Sequence, residues 1–341
     1  MSKYRNRLPQ LGDDVFLTDG GLETTLIFHE GLALPCFAAF DLLRDEEGTG
    51  VLRRYFERYA RIAREQERGL VLETPTWRAN PDWAAKLGYD ARALEDVNRR
   101  SVGLLLEVRQ AFESGRTPIV ISGNLGPRGD GYVPGALMSS AEARRYHAPQ
   151  VETFADTDAD MVAALTLNYP EEAIGIALAA REARMPVAIS FTVETDGRLP
   201  SGIPLADAIA WTDDETCGHP EYYMINCAHP THLVGTLEVP GGWRDRVRGL
   251  RANASRRSHA ELDGSTDLDA GDPDELAAQY RELHSVFQRL AVVGGCCGTD
   301  HRHVAAIGLA LEQVPITPPS SPPPVIPSAR AEAGSMRARG G

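Results

Sequence analysis

Two adjacent cysteines, Cys296 and Cys297, sit within Val292-Val293-Gly294-Gly295-Cys296-Cys297-Gly298-Thr299. The valines read as the end of a buried strand. Neighbouring side chains on a strand point to opposite faces, so two adjacent thiols converge only where the strand stops. The flanking glycines are expected to let the backbone turn there. Convergent thiolates suit a soft metal, zinc above all, and not magnesium or calcium. A third thiol, Cys227, ends the apolar run Tyr222-Tyr223-Met224-Ile225-Asn226. Three thiolates with one open position describe a catalytic zinc site. His229 and His232 are rival ligands, and a fourth ligand from His229 would close the site. Cys36 and Cys217 stand apart and read as structural or surface thiols.

These thiols meet only if the strands that carry them share one rim. Short apolar runs alternate with amphipathic stretches along the chain. Strands are expected at 14–18, 70–74, 118–122, 160–167, 186–192, 222–227, 247–252 (a weak one) and 290–293. A helix is expected from Leu52 with Gly69 as its stop, and a broken helical region over 82–114. Ser139 and Glu142 form a capping box opening a helix that Pro149 should kink or split. Pro170 with two acids starts another. Eight strands, each followed by helical sequence and apolar on both faces, predict an α/β fold, the (β/α)8 TIM barrel. An open doubly wound sheet is the runner-up, but a glycine-rich dinucleotide fingerprint is missing.

In such a barrel chemistry gathers at the C-terminal ends of the strands. That rim collects Asp19, Gly20, Gly21, Glu23 and Thr24 after the first strand, and Glu73, Thr74 and Thr76 after the second. Asn124 follows on the third, Thr166 and Asn168 on the fourth, and Thr192, Glu194 and Asp196 on the fifth. The sixth brings Asn226, Cys227 and His229, the seventh Asn253 and Ser255, and the eighth the cysteine pair. Alternate strands supply side chains to one interior layer, which brings Cys227 towards Cys296 and Cys297.

Four pieces then resemble, in order, the zinc-dependent homocysteine S-methyltransferase family. They are Asp19-Gly20-Gly21, Ser190-Phe191-Thr192 with Asp196-Gly197, Ile225-Asn226-Cys227, and Gly294-Gly295-Cys296-Cys297-Gly298-Thr299. The glycine-flanked cysteine pair with an upstream Asn-Cys is the specific part, and the likeness runs over about residues 11–314. It implies a (β/α)8 barrel with Cys227, Cys296 and Cys297 as zinc ligands, and a place around Asp19 and Gly20 for the amino-acid part of the thiol substrate. It also implies methyl transfer from a sulfonium or ammonium donor to the thiolate of homocysteine, giving methionine. At the end of strand four the family carries a glutamate expected to hold the substrate ammonium; here Leu165-Thr166 stands there. Strand seven departs as well, reading Arg251-Ala252-Asn253-Ala254-Ser255. Glu23, Glu73 or Glu194 is expected to supply the missing carboxylate. Thr24, Thr166 and Asn226 complete the expected substrate contacts.

Composition bounds the alternatives. The 341 residues carry a formal net charge of -13, which argues against nucleic acid or an anionic membrane as partner. No apolar run is long enough to span a bilayer, and residues 1–10 lack the apolar core of a signal peptide. The cytoplasm is the expected compartment, in keeping with clustered thiols. The partners expected are a small thiol acceptor and a methyl donor. A single domain over 11–314 is expected, followed by a proline-rich, disordered tail over 315–341. Two other readings keep the metal: another small thiol as acceptor, or a non-catalytic zinc-stabilised barrel. The methyl donor and the oligomeric state are left open.

Overall fold

A computed structural model describes residues 2–237 and 239–312; the expected tail lies outside the described residues. Eight strands pair in sequence order as a closed, all-parallel barrel. They are β1 Phe16–Leu17, β2 Gly69–Glu73, β3 Ile119–Leu125, β4 Met161–Leu167, β5 Val187–Phe191, β6 Tyr222–Asn226, β7 Val247–Ala252 and β8 Val292–Gly295. Phe16 opposite Val292 and Leu17 opposite Val293 close the ring, which rules out an open sheet. The strands' burial is complete along their lengths, as parallel strands covered on both faces require. Phe16, Val71, Val120, Met161, Tyr222 and Met224 fill the barrel interior, and Leu8 packs with them.

The outer layer is α1 Glu46–Glu65, α2 Ala91–Phe112, α3 Ser140–Ala155, α4 Pro170–Glu182, α5 Leu205–Thr216, α6 Pro273–Val286 and α7 His301–Ala310. The β6 unit departs from the pattern: among the described residues it has only the short helical segments Pro230–Leu233, Val234–Leu237 and Gly242–Arg246. Helix α1 begins earlier than its apolar period suggests, because Asp45 caps it by accepting from the Gly48 N–H at 2.8 Å. Gly69 does not stop this helix. It opens β2 opposite Phe16, whose ring fills the space a Cβ would need. The 82–114 region is two helices, Pro81–Lys86 and α2. The Ser139–Glu142 capping box is present, but Pro149 does not split α3. Val151 and Phe154 beyond it are fully buried, so packing carries the helix past the lost N–H. Strand β3 runs on to Leu125, so Asn124 is a strand residue and not part of a loop.

No helix among the described residues is long and apolar enough to cross a membrane.

Candidate metal and substrate site

The three cysteines meet at the C-terminal rim. The sulfurs of Cys227, Cys296 and Cys297 all lie within 4.8 Å of one another. Strand β8 ends at Gly295, so Cys296 and Cys297 leave the sheet together. Gly294 and Gly295 serve close packing and not the expected turn: a Cβ on either would strike Thr18 or Thr299. Gly298, at φ +81, makes the turn instead. Cys227 itself has φ +55 and Thr166, across the rim on β4, has φ +62. Non-glycine residues hold this conformation at a cost, and such costs gather at functional sites.

Each sulfur faces one polar group. Thr166 Oγ1 is 4.0 Å from Cys227 Sγ, Asn226 Nδ2 is 4.0 Å from Cys296 Sγ, and the Tyr132 hydroxyl is 3.8 Å from Cys297 Sγ. Asn226 is fixed in turn. Its Oδ1 accepts from Thr166 N at 2.8 Å and from Ser190 Oγ at 2.6 Å, and its Nδ2 donates to Thr166 Oγ1 at 2.8 Å. Asn253 Nδ2 and His259 Nε2 both reach the Cys227 carbonyl, at 3.0 and 2.6 Å. Among the described residues no His, Asp or Glu joins the thiol cluster. His229 binds Thr231 and His232 binds the Arg256 carbonyl, so neither rival is a ligand here. Burial pushes the Cys297 thiol up to about 11, so it becomes a thiolate near neutral pH only with a cation beside it. The soft, convergent donor set fits a thiophilic metal.

The structure departs from three free thiols in one respect. Cys227 and Cys296 are joined through their sulfurs, with Cα atoms 5.4 Å apart, while Cys297 is free. A disulfide and a trithiolate site are alternative states of one cluster, and only the reduced state can take a metal. Cys36 and Cys217 lie apart from it, as expected; Cys217 caps α5 at φ +55.

A small cavity of about 70 Å³ opens beside the sulfurs. Its walls include Asp19, Gly20, Glu23, Thr24, Glu73, Leu165, Thr166, Asn226 and all three cysteines. Of the expected contacts only Glu194 is missing: its Oε1 is held at 3.0 Å by His259 Nδ1. His259 opens the short helix His259–Asp263.

Arg251 on β7 is the residue that sequence reasoning missed. Its guanidinium is buried and pairs with both Asp19, at 2.5 Å, and Glu73. It also donates to the Gly295 and Gly20 carbonyls at 3.1 and 3.2 Å. Tyr55 on α1 donates to Asp19 Oδ2 at 3.0 Å. Even so, burial raises the Asp19 carboxyl above its ordinary value, with Arg251 opposing the shift. The signal was a pair of arginines, Arg248 and Arg251, inside the strand Val247–Ala252, because a buried charge demands partners.

Glu23 has no ion pair among the described residues. Its surface reaches the cavity, and protein encloses it otherwise. Burial, with the nearby Asp19 charge adding, raises its carboxyl to about 7. Of the three acids proposed to replace the strand-four glutamate, Glu73 and Glu194 are paired with Arg251 and His259, and Glu23 has no such side-chain partner among the described residues.

A second cavity, of about 350 Å³, meets the first at Cys297. Thr24, Phe37, Trp77 and Tyr132 line both cavities. Tyr132 stacks on His259, ring centroids 4.1 Å apart, and so stands at the junction.

Residues 16–311 match the homocysteine S-methyltransferase family. The chain is 26% identical over 309 residues to the homocysteine S-methyltransferase of Escherichia coli, an alignment covering 86% of this chain and 94% of that protein. It is 24% identical over 262 residues to homocysteine S-methyltransferase 4 of Zea mays, covering 71% and 75%. The crystal structure of the Escherichia coli homocysteine methyltransferase MmuM in its metallated form superposes with a TM-score of 0.68 at 22% identity, covering 87% of this chain and 96% of that one.

Proposed function

The chain belongs to the homocysteine S-methyltransferase family, and we propose that it methylates the thiol of homocysteine to methionine with zinc held by Cys227, Cys296 and Cys297. One observation carries the reading: three sulfurs within 4.8 Å of one another, beside a cavity with acidic walls. When bound, zinc would lower the pKa of the substrate thiol and hold it as a thiolate. The protein's own part is to position and to exclude water. Thr166, Asn226 and Tyr132 hold polar hydrogens towards the three protein sulfurs. Asp19 and Glu73 are both engaged by Arg251, which leaves Glu23 to meet the substrate ammonium in place of the absent strand-four acid. Thr24 steadies this region, since its hydroxyl donates to the Gly21 carbonyl and accepts from the Gly298 N–H, both at 3.2 Å.

The substrate thiolate attacks the methyl carbon of an onium donor in line. A carbon–sulfur bond forms as the donor's carbon–sulfur or carbon–nitrogen bond breaks. The electron pair stays with the donor, which leaves as a neutral thioether or tertiary amine. The thiolate's negative charge and the onium's positive charge cancel. The second cavity, which meets the first at Cys297, is where the donor would lie. Thiolate ligands require a reducing compartment, which favours the cytoplasm.

The test is to incubate reduced, zinc-loaded protein with homocysteine and separate sulfonium and quaternary ammonium donors, reading methionine. Formation of methionine that disappears in Cys297→Ser supports the reading. Methylation of a different thiol but not homocysteine would shift the acceptor and keep the chemistry. That second reading draws on Leu165, which stands where the family carries a glutamate, and on Arg251, which engages Asp19 and Glu73. Zinc uptake with no methylation of any thiol would leave a structural metal barrel.

A further inference from the structure

Arg78 is a buried cation that forms no ion pair among the described residues, although the Asp130 charge partly opposes the lowering of its pKa by burial. It lines the second cavity and is 8% exposed. No carboxylate among the described residues lies within ion-pair distance of it. Its guanidinium is sandwiched between the rings of Trp77 and Trp83, at 4.2 and 3.9 Å from their centroids. This stacking fixes its plane. Nη1 donates to the Gly129 carbonyl at 3.0 Å. Nε is buried with no partner, and Nη2 makes no hydrogen bond among the described residues. The unused Nε–Nη2 edge is the fork that receives a carboxylate through two parallel N–H···O bonds. An unsatisfied buried guanidinium is costly to maintain, so a ligand that completes it gains accordingly.

The same cavity also offers the opposite charge. Asp130 and Asp263 line it, together with the rings of Phe28, Phe37 and Tyr132. Aromatic faces and carboxylates suit a methylated cation. We propose that Arg78 is the carboxylate anchor of a zwitterionic methyl donor, one bearing a sulfonium or quaternary ammonium group and a free carboxylate. This rests on the methyl-transfer reading for the identity of the ligand, and on the cavity alone for the carboxylate subsite.

Binding is measured by calorimetry on the reduced, zinc-loaded full chain, without homocysteine, so that it does not depend on turnover. The probes are S-methylmethionine and glycine betaine, each against its carboxyl methyl ester. The wild-type protein is expected to bind at least one acid about tenfold or more tightly than its ester, a difference of about 1.4 kcal/mol. Arg78→Gln is expected to erase that preference while zinc content stays unchanged. Arg78→Lys, which keeps the charge between the indoles but loses the fork, should recover part of it. Equal binding of acid and ester by the wild type, a preference that survives in Arg78→Gln, or no binding of either acid would each overturn the proposal. Arg78-dependent acid binding in a protein that makes no methionine would instead count against the homocysteine reading and leave the anchor standing.

Discussion

Arg251 on β7 reaches across the barrel mouth to the Asp19 carboxylate after β1, 2.5 Å away, and holds Glu73 of β2 with the same guanidinium. One buried cation thus ties the first, second and seventh strands. Removing it would strand two buried carboxylates. Arg251→Met should cost about 3–5 kcal/mol of stability, the usual penalty for breaking a buried pair from one side. Adding Asp19→Asn and Glu73→Gln should restore most of it. Chemical denaturation followed by far-UV circular dichroism would decide, and a loss well under 1 kcal/mol in Arg251→Met would contradict this account.

Glu23 should govern acceptor affinity. Glu23→Gln is expected to raise the homocysteine KM roughly ten- to 150-fold, as expected for losing a charge-assisted contact of about 1.5–3 kcal/mol, with kcat and zinc content little changed. Glu194→Gln should leave KM alone, because that acid is engaged by His259.

The same residue predicts a pH dependence. Burial raises the Glu23 carboxyl to about 7, so it is neutral below that value and charged above it. Attraction for an ammonium is therefore present above about pH 7 and fades as pH falls through it. Wild-type kcat/KM should climb through this range, and the Glu23→Gln profile should lack the Glu23 limb. Superimposable profiles would exclude this role for Glu23.

The thiol cluster should exchange redox state for metal. The joined Cys227–Cys296 state leaves Cys36, Cys217 and Cys297 free. Denatured, unreduced protein in this state should titrate as three thiols, and fully reduced protein as five. Only the reduced form should take up zinc, measured by elemental analysis after desalting. Chelation should abolish methionine formation yet leave cooperative unfolding intact, because β-ladder pairing closes the barrel independently of the metal.

Much of this was legible in the sequence because it depends on local pattern. The apolar runs marked all eight strands, and the glycine-flanked pair placed Cys296 and Cys297 at a strand tip. Leu165 was readable as a missing acid, and it does face the cavity. What was not legible depends on pairings made only after closure. Arg251 lies on a strand whose apolar signal it weakens, and its partners come from β1 and β2. Glu194 looked equivalent to Glu23, but His259, at the start of the helix His259–Asp263, engages it. Tyr132 and Arg78 come from segments with no periodicity to read, and their roles follow from packing against distant rings. Pro149 predicted a break that the burial of Val151 and Phe154 overrides.

The two cavities meet at one sulfur, and Thr24, Phe37, Trp77, Tyr132 and Cys297 line both. Acceptor and donor need not vacate a common space in turn. Both can be resident at once, so the enzyme has no need to carry the methyl group itself between half-reactions. Initial-rate plots at several fixed concentrations of the second substrate should therefore intersect, as a ternary complex requires. Parallel lines would mean that a protein group, with Cys297 the nearest nucleophile, becomes methylated on the way.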